Sequence, residues 1–325
     1  MSRPSATWLL AVLAACGAPP AADAPLERVT VPRGATFAAI TDTLVARGLV
    51  GSPRWFQLVA RVGGFDRRAR SGIYDIPRGA RTLDMLRILR SGRSVAARFT
   101  VPEGLTLIEV AALAEERLAM PAESVLAAAR DPSLLREFEI TAPSFEGFLL
   151  PETYFIPLTA DGRALVREMA AAFRAGWDSA WDRRAAEQGL SRTEFVALAS
   201  IVEGEARVPD EQPIVAAVYL NRLRIGMPLQ ADPTVQYAIQ QQTGARKPRL
   251  FLRDYEIDSP YNTYRIPGLP PGPVGLPGRG ALQAVAFPAE VPFLYFVASD
   301  SGRHVFTRTY AEHLQAIRRI RGGGR

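Results

Sequence analysis

Arg98-Phe99-Thr100-Val101-Pro102-Glu103-Gly104-Leu105-Thr106 restates, seventy residues on, the pattern of Arg28-Val29-Thr30-Val31-Pro32-Arg33-Gly34-Ala35-Thr36. Each copy alternates like a half-buried strand, breaks at a Pro-x-Gly turn, and ends on a threonine placed to cap a helix. Phe37, Ile40 and Leu44 follow the first copy, and Leu107, Val110 and Leu113 the second, the spacing of a single helix face. Each unit closes on a similar strand, Tyr74-Asp75-Ile76-Pro77 and Tyr154-Phe155-Ile156-Pro157. The first half therefore reads as two strand–helix–helix–strand units, residues 28–95 and 98–158, and the chain as α+β.

Beyond residue 160 the pattern changes. Ser191-Arg192-Thr193-Glu194 has the spacing of a capping box, and Phe195, Leu198, Ala199 and Val202 then line one apolar face. Glu203 falls on or beside that face, whereas Glu205 lies roughly 200° round the helix. The two acids are thus expected in separate places, with Glu203 the one aimed inward. A carboxyl held among apolar neighbours has its charged form disfavoured and can keep its proton near neutral pH, as a general acid for glycosidic cleavage must. An inward glutamate can equally be half of a buried ion pair, here with Arg222 or Arg207; the residues alone leave both open.

Downstream, Asp210-Glu211-Gln212-Pro213 opens a second helix that Gly226 and Pro228 end. In Leu229-Gln230-Ala231-Asp232-Pro233-Thr234 the aspartate reads first as a helix cap. Gln230 and Asp232, with Tyr261 and Asn262 of Ser259-Pro260-Tyr261-Asn262-Thr263-Tyr264, are candidates for orienting a sugar substrate by hydrogen bonding and stacking; a loop that is simply packed is the alternative for residues 259–264. The Gly/Pro-dense run from Gly268 to Gly280 reads as an ordered loop. Phe293-Leu294-Tyr295-Phe296-Val297 is expected as a buried strand, paired across Asp300-Ser301-Gly302 with Arg303-His304-Val305-Phe306.

Composition narrows the chemistry. The 325 residues include one cysteine, Cys16, and two histidines, His304 and His313. A disulfide scaffold is excluded, a Cys/His zinc cluster nearly so, and no metal or cofactor is expected. Carboxylates are the remaining agents. The net charge of +6 comes from scattered arginines, with Lys247 the only lysine. No basic stripe with interleaved aromatics is present, so nucleic acid is not an expected partner.

Residues 1–16 read as a secretion signal: Arg3, then an apolar stretch from Ala6 to Ala15, too short to span a bilayer. It ends Leu13-Ala14-Ala15-Cys16-Gly17, which resembles the lipobox of bacterial lipoproteins, whose cysteine is lipidated. An ordinary signal peptide, with no special role for Cys16, is the alternative. Residues 17–27 read as a linker.

The repeated units resemble LysM modules, which bind the N-acetylglucosamine chains of peptidoglycan and chitin; a duplicated packing unit without ligand is the alternative. The chain as a whole resembles the YceG-like family of endolytic murein transglycosylases. The match is carried by Leu198-Ala199-Ser200-Ile201-Val202-Glu203-Gly204-Glu205, Asn221-Arg222-Leu223-Arg224-Ile225-Gly226-Met227 and Leu229-Gln230-Ala231-Asp232-Pro233-Thr234-Val235. It continues in Tyr261-Asn262-Thr263-Tyr264, Gly268-Leu269-Pro270-Pro271-Gly272-Pro273 and Leu294-Tyr295-Phe296-Val297. Glu146-Gly147-Phe148-Leu149-Leu150-Pro151-Glu152-Thr153-Tyr154 is similar to the family's domain junction.

The resemblance implies a duplicated LysM-like region followed by a mixed α/β catalytic domain over residues 160–325, with Glu203 as catalytic acid. It further implies a lyase that cuts within glycan strands of peptidoglycan to leave 1,6-anhydroMurNAc ends, terminates strand elongation and has peptidoglycan synthases as partners. The protein would be held at a membrane of the cell envelope by its lipid anchor, with the catalytic domain facing the periplasm or wall. Two rivals are a hydrolase of the same bond, with Glu205 or Asp232 activating water, and a lipid-anchored, non-catalytic wall-binding protein.

Overall fold

A computed structural model of the chain describes residues 24–32, 34–92, 95–206, 208–299 and 302–322. Cys16 with its signal segment, most of the linker, Arg207 and the Asp300-Ser301 part of the hairpin turn lie outside the described residues. The chain divides into two units: residues to Arg98 with Phe155–Ala160, and Phe99–Tyr154 with Asp161–Arg325.

In the first unit, β1 (Leu26–Val31) runs antiparallel to β2 (Gly72–Pro77), with Val29 opposite Tyr74. Between them lie α1 (Phe37–Ala46) and α2 (Pro53–Val62), and α3 (Thr82–Ser91) follows. The Thr36 hydroxyl accepts from the Ala39 N–H at 3.2 Å, the cap that the sequence pattern expects. Alternation sends Val29, Val31, Tyr74 and Ile76 inward, where they meet Ile40, Leu44, Phe56, Met85, Leu86 and Leu89 in one core.

Strand β3 (Ala96–Thr100) pairs with β4 (Thr153–Pro157). Between them run α4 (Leu107–Leu118), α5 (Ala122–Ala129) and the short α6 (Pro132–Glu137). Thr106 and Glu109 form a complete capping box at the start of α4.

The rest of the second unit is helical: α7 (Gly162–Gly176), α8 (Ser179–Glu187), α9 (Arg192–Glu205), α10 (Gln212–Arg224), α11 (Asp232–Thr243) and α12 (Arg279–Ala286). A last hairpin, β5 (Tyr295–Ala298) with β6 (His304–Thr307), precedes α13 (Tyr310–Gly322). The capping box at Ser191 and Glu194 forms as its spacing predicts. Every residue of α9 from Phe195 to Val202 is buried, because α8, α10, α11 and α12 pack around it. Strand β5 differs from the expected buried strand: Tyr295, Phe296 and Val297 are only half-buried, a two-stranded ribbon having no second layer to cover both faces. Among the described residues no helix is long and apolar enough to cross a membrane.

The Gly/Pro loop is ordered and inward-facing: residues 272–278 are buried. The Ser200 hydroxyl of α9 accepts from the Val274 N–H at 2.9 Å. Gly147 has φ +82°, and a Cβ there would overlap Pro273 and come within 2.9 Å of Val196, which accounts for glycine in Glu146-Gly147-Phe148.

Candidate active site

Glu203 occupies the last turn of α9, half-buried. Its Oε2 accepts from the Gly278 N–H at 3.1 Å, where the Gly/Pro loop meets α12. Burial raises its pKa, the Gly278 hydrogen bond opposes that rise, and the nearby charge of Glu103 adds to it. With Oε2 engaged by a donor, Oε1 is the oxygen left to carry a proton. The backbone of Gly104 passes close by: a Cβ on Gly104 would stand 3.8 Å from Glu203 Cγ. The ion-pair alternative with Arg222 is not formed. That guanidinium donates to the carbonyl oxygens of Leu294 at 2.7 Å, Leu229 at 2.7 Å and Pro228 at 3.3 Å.

Glu205 has entirely different neighbours, as its place on the helix requires. Its Oε1 accepts from the Tyr219 hydroxyl at 3.0 Å and from the Asp232 N–H at 3.2 Å. Burial, with Asp232 adding to it, pushes its pKa up to about 7. The expectation that Glu203 alone is aimed inward is therefore corrected: α9 is covered on several sides, and both carboxyls are shielded, in different directions.

Asp232 also departs from its expected role. Ala231 is the N-cap of α11 and Asp232 the first helical residue, with no side-chain cap. Its carboxylate instead accepts from the hydroxyls of Tyr264 at 2.7 Å and Tyr255 at 3.3 Å. Gln230 is exposed and takes φ +49°, a left-handed conformation that non-glycine residues seldom adopt and that is concentrated at functional sites. Gln230 and Asp232 line a cavity of roughly 310 Å³ with Glu205, Tyr219, Tyr264 and Arg222. His304 reaches this cavity too, while its Nδ1 lies 2.7 Å from Glu211 Oε2, so it also ties β6 to the turn before α10.

The two remaining candidates sit elsewhere. Tyr261 is half-buried, its ring centroid 4.7 Å from that of Tyr237, and a Cβ on Gly272 would come within 3.4 Å of its hydroxyl. Tyr261 thus belongs beside the Gly/Pro loop. Asn262 is fully buried. Its amide donates to the carbonyls of Tyr255 and Ile257, both at 2.9 Å, and its Oδ1 accepts from the Tyr264 N–H at 3.1 Å. Its side chain holds the loop that presents Tyr261 and Tyr264.

Three residues of this region carry no role in the sequence reading. Thr263, fully buried, accepts from the Ala231 N–H at 3.0 Å and so fixes the Gln230–Asp232 turn; nothing local to it announces a contact 32 residues away. Glu146 is buried below Tyr237, accepting from its hydroxyl at 3.3 Å and from the Leu107 N–H at 3.2 Å, and burial pushes its pKa up to about 8. Glu103 stands beside Gly278. Its signal is visible in the repeat, where it replaces Arg33 of the first copy.

The fold and site define a mixed α/β protein that shields a carboxyl on a central helix, where an ordered Gly/Pro loop meets it. The YceG-like family model matches residues 29–319. An endolytic murein transglycosylase of Bacillus subtilis is 30% identical over 305 residues, covering 89% of this chain and 83% of the relative. An endolytic murein transglycosylase of Streptococcus pneumoniae is 28% identical over 327 residues, covering 89% of this chain and 58% of the relative. The crystal structure of a YceG-like protein of Listeria monocytogenes superposes with a TM-score of 0.61 at 28% identity, over 90% of this chain and 100% of that one. The chain belongs to the YceG-like family.

Proposed function

We propose that the protein is an endolytic peptidoglycan lytic transglycosylase, a lyase that cleaves the MurNAc–GlcNAc bond within glycan strands and leaves 1,6-anhydroMurNAc ends. Glu203 is the catalytic acid and then the base. The observation that carries this reading is its half-buried carboxyl, raised in pKa by burial and, among the described residues, engaged at one oxygen by the Gly278 N–H. From Oε1 it protonates the glycosidic oxygen as the C1–O bond breaks. The carboxylate so formed takes the proton of the MurNAc C6 hydroxyl as O6 closes on C1. The proton returns to Glu203, no water is consumed, and no second catalytic carboxylate is needed.

Hydrolysis assisted by Glu205 or Asp232 fits the geometry less well. Glu205 points to the other side of α9 with Oε1 held by Tyr219 and the Asp232 backbone, and the Asp232 carboxylate is taken by two tyrosines. Gln230 and Asp232 at the polar cavity, and Tyr261 beside the Gly/Pro loop, are read as substrate-orienting, with Asn262 acting through the loop it holds.

Residues 28–95 and 98–158 are read as LysM-like units that hold glycan, and residues 160–325 as the catalytic domain; the paired strand–helix–helix–strand sequences support this. The lipobox-like Leu13–Gly17 stretch supports a lipid anchor at Cys16 and a place at an envelope membrane, where the activity would end strand elongation beside peptidoglycan synthases. Glu203→Gln keeps the shape of the side chain and removes the titrating proton. It is expected to lower cleavage of purified peptidoglycan by about 10²–10⁴-fold with an unchanged thermal melt. Cleavage at the wild-type rate would remove Glu203 from the mechanism. A wild-type protein that binds glycan strands and never cuts them would make it a wall-binding protein instead.

A further inference from the structure

The two Pro-x-Gly turns of the repeat have diverged in charge and in surroundings. The first carries Arg33, and a Cβ on its Gly34 would meet nothing within 4 Å. The second carries Glu103 and is clamped to the Gly/Pro loop. The Gly104 N–H donates to the Leu276 carbonyl at 2.8 Å, and the Leu276 N–H returns a bond to the Leu105 carbonyl at 2.8 Å. Arg246 adds a third bond, to the Gly104 carbonyl at 2.8 Å. The approach is so close that a Cβ on Gly275 would lie 3.0 Å from the Gly104 oxygen. The clamp delivers the exposed Glu103 side chain to Gly278, where its Oε1 takes the space a Cβ would occupy. Gly278 is also the residue whose N–H holds Glu203 Oε2.

We propose that Glu103 is a positioning residue of the Glu203 site: the second Pro-x-Gly turn is held on the Gly/Pro loop so that a carboxylate stands at Gly278 and acts on the reaction through Glu203. The inference rests on the reading of Glu203 as the acid. A negative charge beside a carboxyl opposes its ionisation, so Glu103 widens toward alkaline pH the range over which Glu203 holds the proton it must give. Among the described residues, the other charged groups around Glu203 are engaged elsewhere. Glu205 of the same helix faces Tyr219, and Asp232 of α11 is held by Tyr255 and Tyr264. Arg246 bonds the Gly104 carbonyl and pairs with Glu109, and Arg279 of α12 donates to the Gly176 carbonyl.

The test is the pH profile of kcat/KM on soluble, uncrosslinked glycan strands for the full chain and its variants. Glu103→Gln removes the charge and moves the alkaline limb to lower pH. Glu103→Arg, the residue of the first copy, moves it further, and Glu103→Asp leaves it near the wild-type position. High salt narrows the wild-type-to-Gln difference, because the charge acts partly through solvent; a purely structural role would move neither limb nor salt dependence. The product end stays 1,6-anhydroMurNAc in every active variant. Coincident limbs in Gln, Arg and wild type, with Glu203→Gln inactive, would overturn the role of Glu103 alone. A Glu203→Gln variant at the wild-type rate would overturn the site reading with it. Free reducing ends in the wild type that disappear in Glu103→Gln would instead make Glu103 a base acting on water.

Discussion

Glu203 was legible because helical periodicity is local: four residues of apolar face precede it, and its side is fixed by its number. Its hydrogen bond to Gly278 was not, since the donor lies 75 residues on in an irregular loop. Asp232 shows the opposite error. Asp before Pro is a strong local cue for a cap, yet the buried Thr263 claims the Ala231 N–H and sets Asp232 one position into the helix, facing Tyr264. Tyr264→Phe tests that contact. It removes a donor from an exposed carboxylate that water can partly resupply, and is expected to cost about 0.5–1.5 kcal/mol of unfolding free energy in urea titration. A loss below about 0.5 kcal/mol would show that water replaces the hydroxyl freely.

At the scale of elements, the strands and helices of the repeat and the start of α9 could be read because caps and periodicity lie within a few residues of one another. Thr36, Thr106 and Ser191 cap as their spacing dictates. Ser191→Ala should therefore cost about 1 kcal/mol, measured by denaturant titration. The seating of the Gly/Pro loop on α9 depends on contacts far apart in sequence, such as Ser200 with Val274. Gly147→Ala probes it: a side chain at φ +82° that overlaps Pro273 combines backbone strain with overpacking. A loss of at least about 2 kcal/mol is expected, with reduced cleavage as the loop is pushed from Glu203. A neutral Gly147→Ala would mean that the loop is not held there.

For the whole molecule, the buried Glu146 and the half-buried Glu205 set a pH dependence of stability. Glu146 and Glu205 have pKa values raised from 4.5 to about 8 and about 7, chiefly by burial. Between pH 4.5 and these values the folded chain keeps protons that the unfolded chain has released. Stability from these groups is thus full below about pH 4.5 and is lost as pH rises through 7 and 8. Asp131, held down at about 2 chiefly by Ser133, works in the opposite sense, below that window. Urea titrations from pH 5 to 8.5 should show stability falling, and Glu146→Gln should flatten the fall. A slope unchanged in that variant would mean that Glu146 is ionised in the folded state. Composition had already pointed to such groups, since a chain with one cysteine and two histidines has carboxyls left for its proton chemistry. Which carboxyls are shielded depends on the packing of helices far apart in sequence.

The most direct test of the mechanism is mass spectrometry of the ends made when the purified protein digests uncrosslinked glycan strands. A single carboxyl that returns its proton to itself gives MurNAc ends lighter by one water, the 1,6-anhydro form, from wild type and about 10²–10⁴-fold fewer from Glu203→Gln. Free reducing MurNAc ends from the wild type would contradict it.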